Sequence, residues 1–246
     1  MKKLMMIAGA ALMAVFTGCD NGPKPLKMIT EATFPPYEFL RGQDIVGIDV
    51  EICRAVAERL NRPFLPETVD FDSVIPAVIS GKADLAAAGI TVTEDRKKNV
   101  DCSIPYVKTG IVVIYKKSNP FKDVAQLKGK KIGVQGGTTS ETYVLEQLKQ
   151  EPDRSRSPAE ACAALKSGRV DFVIADIDPA KNCVKGEADL QLSDFITSEE
   201  YAVAIRKGQP ELLAAINATI AELKANGKLA KWIADFTAEA DKLKDK

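Results

Sequence analysis

The chain has 246 residues, a length that suits one or two domains. Hydrophobic residues make up 46% and charged residues 28%, the proportions of a folded globular protein, which excludes disorder and collagen-like repeats. Lys and Arg number 34, as do Asp and Glu, so no basic excess is offered to a nucleic acid; the absence of any histidine removes Ser-His-Asp and Cys-His nucleophile pairs and histidine zinc sites.

Lys2 and Lys3 are followed by thirteen uncharged residues, Leu4 to Phe16, and then by Thr17, Gly18 and Cys19. A positive start, a short apolar stretch and a small-residue cleavage site are the parts of an export signal. The run is shorter than the roughly 20 residues a membrane span needs, and Asp20, Asn21, Gly22 and Pro23 end it. Val15-Phe16-Thr17-Gly18-Cys19 also resembles the lipobox of bacterial lipoproteins, which implies a signal peptide over residues 1–18 and a lipid anchor on Cys19. An ordinary signal peptide with an incidental Cys19 is the competing reading. By the same resemblance, Asp20 after the cysteine points to retention at the inner membrane.

Loss of Lys2 and Lys3 with the leader leaves 32 basic and 34 acidic residues, a net charge of −2. Of five cysteines, Cys53, Cys102, Cys162 and Cys183 would remain unlipidated. An even number in an exported chain points to pairing, and the preferred pairs, one in each half, are Cys53–Cys102 and Cys162–Cys183. Four buried thiols are the alternative, since a chain this long builds a core without staples.

From Leu26 onward short apolar runs alternate with amphipathic segments, the pattern of an α/β protein. Leu26 to Thr30 is predicted as a strand with Glu31 at its end, and Asp49 to Leu60 as a helix whose Val50, Ile52, Cys53, Val56, Ala57 and Leu60 share a face. Ser73 to Ser80 is a second helix, closed by Gly81, and Asp84 to Ala88 a second strand. Ile111 to Tyr115 and Lys131 to Gln135 are further strands, and Thr139 to Gln150 is a helix. Tyr201 to Arg206 reads as a strand, Pro210 to Asn226 as a helix closed by Gly227, and Lys228 to Lys246 as mostly helical.

Ser80-Gly81-Lys82-Ala83-Asp84-Leu85 is echoed by Ser167-Gly168-Arg169-Val170-Asp171-Phe172, each between an amphipathic helix and an apolar strand. Glycine suits the helix C-cap there. The echo points to two similar α/β lobes, although helix-turn-strand units are common enough to match by chance. Ligands bind beyond the carboxyl ends of strands in such sheets, so two lobes with facing strand ends would form a cleft.

Several residues fall at those ends. Arg96 lies just after the second strand, where a guanidinium can grip a carboxylate with two hydrogen bonds while Gly89 and Thr91 let a ligand approach the backbone. A solvated helix start is its bland alternative. Gln135-Gly136-Gly137-Thr138-Thr139-Ser140 leads from a strand into a helix, an anion site through free N–H groups and the helix dipole, or else a plain turn with an N-cap. It lacks a P-loop ending and the dinucleotide fingerprint. Asp176, at a buried strand end, needs a cation such as an ammonium unless it caps the following helix. Phe34 and Phe71 could sandwich a side chain or serve the core, and Glu31 could take that side chain's polar end.

Gly47-Ile48-Asp49-Val50-Glu51-Ile52, with Val56-Ala57 and Leu60, resembles the signature of bacterial extracellular solute-binding proteins of the polar amino acid class, which serve ABC importers. Phe34-Pro35-Pro36-Tyr37-Glu38-Phe39, Asp70-Phe71, Ile75-Pro76-Ala77, the run from Ala88 to Arg96, Gly136 to Ser140 and Asn226-Gly227-Lys228 follow in family order. The resemblance spans Leu26 to about Phe236. It implies the two-lobed periplasmic-binding-protein type II fold, with crossovers near Tyr106 to Gly110 and Glu200 to Ala204. Lobe 1 is expected at residues 26–108 plus 202–240, and lobe 2 at 109–201.

By resemblance, Arg96 holds a ligand α-carboxylate together with backbone groups at Thr91 and Thr139, while Asp176 and the Gly89 carbonyl receive the α-ammonium. Phe34 and Phe71 flank the side chain, Glu31 stands where relatives often carry aspartate, and Gln135 lines the far end; Ala88 and Thr138 complete the expected lining. Ala175 departs from relatives that carry a polar residue there. A basic amino acid, arginine or lysine, is the expected ligand, with glutamine next. No cofactor or metal is expected, and the partners are a free L-amino acid and an inner-membrane permease, with the chain a monomer. An enzyme similar to cyclohexadienyl dehydratases is the alternative function, and a detached sensor domain would use the same site.

Overall fold

The computed structural model describes residues 22–242, so the expected leader at residues 1–18 and Cys19 lie outside the described residues. Strand β1 (Leu26–Thr30) is buried at every position except Lys27. A small antiparallel ribbon follows, made of β2 (Thr33–Phe34), β3 (Glu38–Arg41) and β4 (Asp44–Val46). Next come α1 (Ile48–Arg59), β5 (Phe64–Thr68), a 3-10 turn at Phe71–Ser73, α2 (Val74–Ile79), β6 (Leu85–Ala86), α3 (Glu94–Asn99) and β7 (Val100–Cys102). The long strand β8 (Val107–Lys116) begins a second set: β9 (Ile132–Gln135), α4 (Thr139–Glu146), β10 (Asp153–Ser155), α5 (Pro158–Ser167), β11 (Phe172–Asp176), α6 (Ile177–Val184), β12 (Leu190–Leu192) and β13 (Thr197–Tyr201). β14 (Ala204–Arg206), α7 (Pro210–Ala225) and α8 (Lys228–Lys242) complete the described chain.

Two sheets organise these elements into two lobes. The first has the order β5-β1-β6-β14-β7, with β5, β1 and β6 parallel and β14 antiparallel to both its neighbours. The second has the order β10-β9-β11-β8-β12, with β10, β9 and β11 parallel and β13 also running antiparallel along β8. Strands covered on both faces read as continuous apolar runs, and Phe172–Asp176 is buried throughout. In the first lobe, Leu26 and Met28 pack with Ile52 and Val56 of α1 and Ile220 of α7 on one face of the sheet. Ile29 and Ala86 pack with Val74 and Val78 of α2 on the other. In the second lobe, α5 and α6 bury Leu165 and Ala180 against Val173, while Val144 of α4 packs with Ile174 and Phe172 opposite.

The chain crosses between sheets after β7 and again after β13. The two crossing segments lie side by side, with Tyr201 opposite Val107 and Glu199 opposite Thr109. This splits the strand predicted over Tyr201 to Arg206: Tyr201 ends β13 in the second sheet, while Ala204 begins β14 in the first. The strand predicted from Asp84 to Ala88 shortens to Leu85–Ala86, the two residues that stand in register with Met28 and Ile29 of β1, while Asp84 and Ala87 each give that strand one further N–H. Helix α4 stops four residues before the predicted Gln150, where Lys149 takes a φ of 55°.

The cysteine expectation is corrected in one half. Cys53 and Cys102 are free thiols, because Cys53 faces the α1 side of the first sheet while Cys102 packs with the α2 side. Cys162 and Cys183 are bonded, their Cα atoms 5.9 Å apart, and join α5 to α6.

Candidate functional site

The carboxyl ends of the parallel strands from both lobes converge on one narrow cavity of about 10 Å³. Its lining consists of the eleven residues singled out from the sequence and no others. Glu31 comes from the end of β1, Phe71 from the turn after β5, and Ala88, Gly89 and Thr91 from the segment after β6. Gln135 ends β9, Thr138 and Thr139 open α4, and Asp176 ends β11.

Arg96 is turned inward from a helix whose neighbouring cations face out. Lys97 and Lys98 pair with Glu94 and Asp95 at the surface, and the Thr93 hydroxyl accepts the Arg96 N–H at 3.1 Å as the helix N-cap. The Arg96 guanidinium donates to the Thr91 carbonyl at 2.8 Å and to the Gly137 carbonyl of the opposite lobe at 3.1 Å. It lies 5.7 Å from the centre of the Phe71 ring, within reach of a cation–π contact. Burial lowers its pKa, and the carboxylates of Glu199 and Asp176 oppose that shift.

Asp176 occupies the N-cap position of α6 but makes no side-chain cap bond. Its carboxylate accepts the hydroxyl of Tyr201, the last residue of β13. Burial and nearby Glu199 push the Asp176 pKa up to about 7, against the downward pull of Tyr201 and Arg96. Glu31 is also buried, which raises its pKa, and its Oε2 has no hydrogen-bond partner. Its Oε1 accepts the Gln135 amide at 2.7 Å across the two lobes.

The wall residues follow local rules. Thr138 is the N-cap of α4, accepting the Glu141 N–H at 3.4 Å and donating to the Gln135 carbonyl at 2.7 Å; the Glu141 carboxylate takes the Gly137 N–H. Phe34 stacks on Tyr37 with ring centres 5.4 Å apart and stands over Gly89. The Gly89 carbonyl receives no hydrogen bond from the backbone or side chains of the described residues. Ala175 is buried and lines a small adjoining space instead.

Four participants were not picked out from the sequence. Tyr201 and Glu199 hold Asp176 and the Thr91 hydroxyl from the crossing strand, at 2.7 Å for the Thr91–Glu199 pair. Tyr37 reaches the second lobe through its hydroxyl, 2.9 Å from Asp178. Asp49 accepts the Gly89 N–H at 2.8 Å. A sequence signal existed for Asp49 alone: a carboxylate on the buried stripe of an amphipathic helix. No cluster of three His, Cys, Asp or Glu residues suited to a metal occurs among the described residues.

The chain is 32% identical over 239 residues to the ABC transporter arginine-binding protein 1 of Escherichia coli (strain K12), covering 94% of this chain and 97% of that protein. An ancestral arginine-binding protein solved with arginine superposes with a TM-score of 0.79 at 39% identity, over 86% of this chain and 97% of the other. An ancestral arginine-binding protein solved with glutamine gives 0.78 at 39% identity, with the same coverage. Residues 26–239 match the bacterial extracellular solute-binding proteins, family 3, and the chain belongs to that family.

Proposed function

We propose that this chain captures a free L-amino acid between its lobes and delivers it to an ABC permease, with arginine or another cationic side chain preferred and glutamine next. The observation that carries the reading is the charge pattern in one cavity: a guanidinium, Arg96, for a carboxylate; a carboxylate, Asp176, for an ammonium; and a second carboxylate, Glu31, left for a cationic side chain. Arg96 with the backbone at Thr91 and Thr139 holds the α-carboxylate, Asp176 and the Gly89 carbonyl hold the α-ammonium, and Phe34 and Phe71 flank the side chain. Relatives named for arginine, and similar structures bound to arginine and to glutamine, support this choice.

The lobes of the proposal are residues 26–108 plus 202–240 and residues 109–201. They close around the ligand because it touches both, which gives the closed form its higher affinity. Export with lipid on Cys19 and action as a monomer complete the reading. No helix among the described residues is long and apolar enough to cross a membrane.

A thermal-shift screen of residues 20–246 against the twenty amino acids, prephenate and arogenate tests this. A ligand at a thousandfold excess over Kd stabilises by about 4 kcal/mol, so arginine is expected to give a large shift that Arg96→Ala and Asp176→Ala abolish. A shift with glutamine alone keeps the class and replaces the ligand. Turnover of prephenate or arogenate with no amino acid shift would make the chain an enzyme.

A further inference from the structure

Behind the pocket lies a buried acidic group that the ligand contacts above do not use. Glu38 and Asp49 are wholly buried, and no lysine or arginine of the described residues pairs with either. Tyr106, from the first crossing segment, and Glu38 flank the Asp49 carboxylate. Two carboxyls this close in an apolar interior do not both ionise. Burial beside Asp49 drives the Glu38 pKa far up, which leaves it protonated. Asp49, also raised by burial, is drawn back to about 6 by the Gly89 N–H, Tyr106 and Glu38. At neutral pH the pair therefore holds at most one negative charge, and the Gly89 N–H that donates to Asp49 favours placing it there.

That charge meets the backbone of the pocket at Gly89, whose N–H donates to Asp49 Oδ2 at 2.8 Å. Gly89 has φ +56°, and a Cβ there would lie 2.8 Å from the Phe34 ring, so no side chain helps to fix this turn. Its orientation depends on what its backbone grips. We propose that Asp49 is a positioning residue for the ligand's α-ammonium: it anchors the Gly89 N–H, holds the turn that presents the Gly89 carbonyl to the pocket, and sets a negative charge behind that carbonyl. The inference rests on the amino acid reading above and extends its ammonium subsite to a residue that does not touch the ligand.

Asp49→Asn keeps the size and an acceptor for the Gly89 N–H while removing the charge. The test titrates the unaltered chain and this variant with arginine and with 5-guanidinopentanoate, the same molecule without the α-ammonium, directly or by competition. Arginine is expected to weaken about tenfold in the variant, as when a charge-assisted hydrogen bond becomes a neutral one, while the analogue changes less than about twofold. Equal loss for both ligands, or no loss for either, overturns the inference and leaves the amino acid reading standing. Failure of the unaltered chain to bind arginine overturns both. A measurement that needs no variant follows the Gly89 amide proton by NMR in the unaltered chain: it is expected to move markedly further on adding arginine than on adding the analogue, and equal movement with both would overturn the inference.

Discussion

The Gln135 side-chain amide donates to Glu31 Oε1 at 2.7 Å, joining the ends of β9 and β1 although the residues stand 104 positions apart. The same amide donates to the Arg156 carbonyl at 3.0 Å, so Gln135 ties a turn of its own lobe to a carboxylate of the other. Glu31 keeps its second oxygen buried and unpartnered, with Asp70 and Asp72 near enough to push its pKa further up. A cationic side chain would relieve all three carboxylates, whereas an amide would satisfy only hydrogen bonding. Glu31→Gln is therefore expected to weaken arginine by roughly 30-fold or more, in the range for removing one partner of a buried charge pair, and to change glutamine by less than about threefold. Isothermal titration with both ligands checks this. Equal loss for both would mean that Glu31 serves closure and not side-chain choice.

A second contact between the lobes depends on a missing side chain. Gly137 has φ +77°, and a Cβ there would stand 3.0 Å from the Asp72 Cα in the opposite lobe, while the Gly137 carbonyl accepts Arg96 Nη2 at 3.1 Å. Gly137→Ala is expected to cost about 1–2 kcal/mol of stability from the left-handed backbone alone. The added methyl also wedges the lobes apart, so ligand affinity should fall by at least about tenfold, as losing one hydrogen bond from a charged group predicts. Thermal unfolding without ligand reads the first effect and titration the second. A stability loss with unchanged affinity would show that this contact is not needed for closure.

The disulfide and the free thiols separate cleanly. Cys162–Cys183 closes a loop of 21 residues between α5 and α6, and replacing both with Ala is expected to destabilise the chain by about 3 kcal/mol. Because Asp176 occupies the N-cap position of α6, the same change should loosen the ammonium subsite. Of the two free cysteines among the described residues, Cys102 is half-buried and should react with a thiol reagent in the native chain. Cys53 is wholly buried, and burial raises its pKa, so it should react only on unfolding. Mass spectrometry after labelling distinguishes the two.

What could be read from the sequence was whatever local chemistry determines. The periodic apolar face of α1, the glycine that ends α5 and the Thr138 cap of α4 each follow from a few adjacent residues. The eleven lining residues can be named from the sequence because its motifs match a family in order, and Glu31, Gln135 and Asp176 also fall at strand ends. What could not be read depends on the path between the lobes. Tyr201 reads as an ordinary strand aromatic until β13 and β8 pair and bring its hydroxyl to Asp176, 25 residues earlier in the chain. Glu199 likewise reads as a surface charge in a polar strand, and only the crossing sets it 2.7 Å from the Thr91 hydroxyl. The Cys53–Cys102 pairing failed for the same reason, since sharing a lobe does not reveal which side of the sheet each thiol faces.

Asp176 makes ligand capture depend on pH. Its pKa is about 7 in the folded chain, against an ordinary value of 3.8, because burial and Glu199 on β13 outweigh Tyr201 on the same strand and Arg96 on α3. Between those two values the folded chain keeps a proton that the unfolded chain has lost. Stability without ligand therefore falls as pH rises from about 4 to about 7 and then levels off. Ligand binding runs the other way. An α-ammonium needs the ionised carboxylate, so binding below pH 7 must expel the proton, and arginine affinity should rise about tenfold between pH 6 and pH 8. Asp49, at about 6, steepens the fall at still lower pH. Titration calorimetry in two buffers of different ionisation enthalpy should show nearly one proton released per arginine at pH 6 and almost none at pH 8. Asp176→Asn should bind weakly at both and release no proton from this position. Proton release that survives in Asp176→Asn would place the titrating group elsewhere, with Asp49 the next to replace.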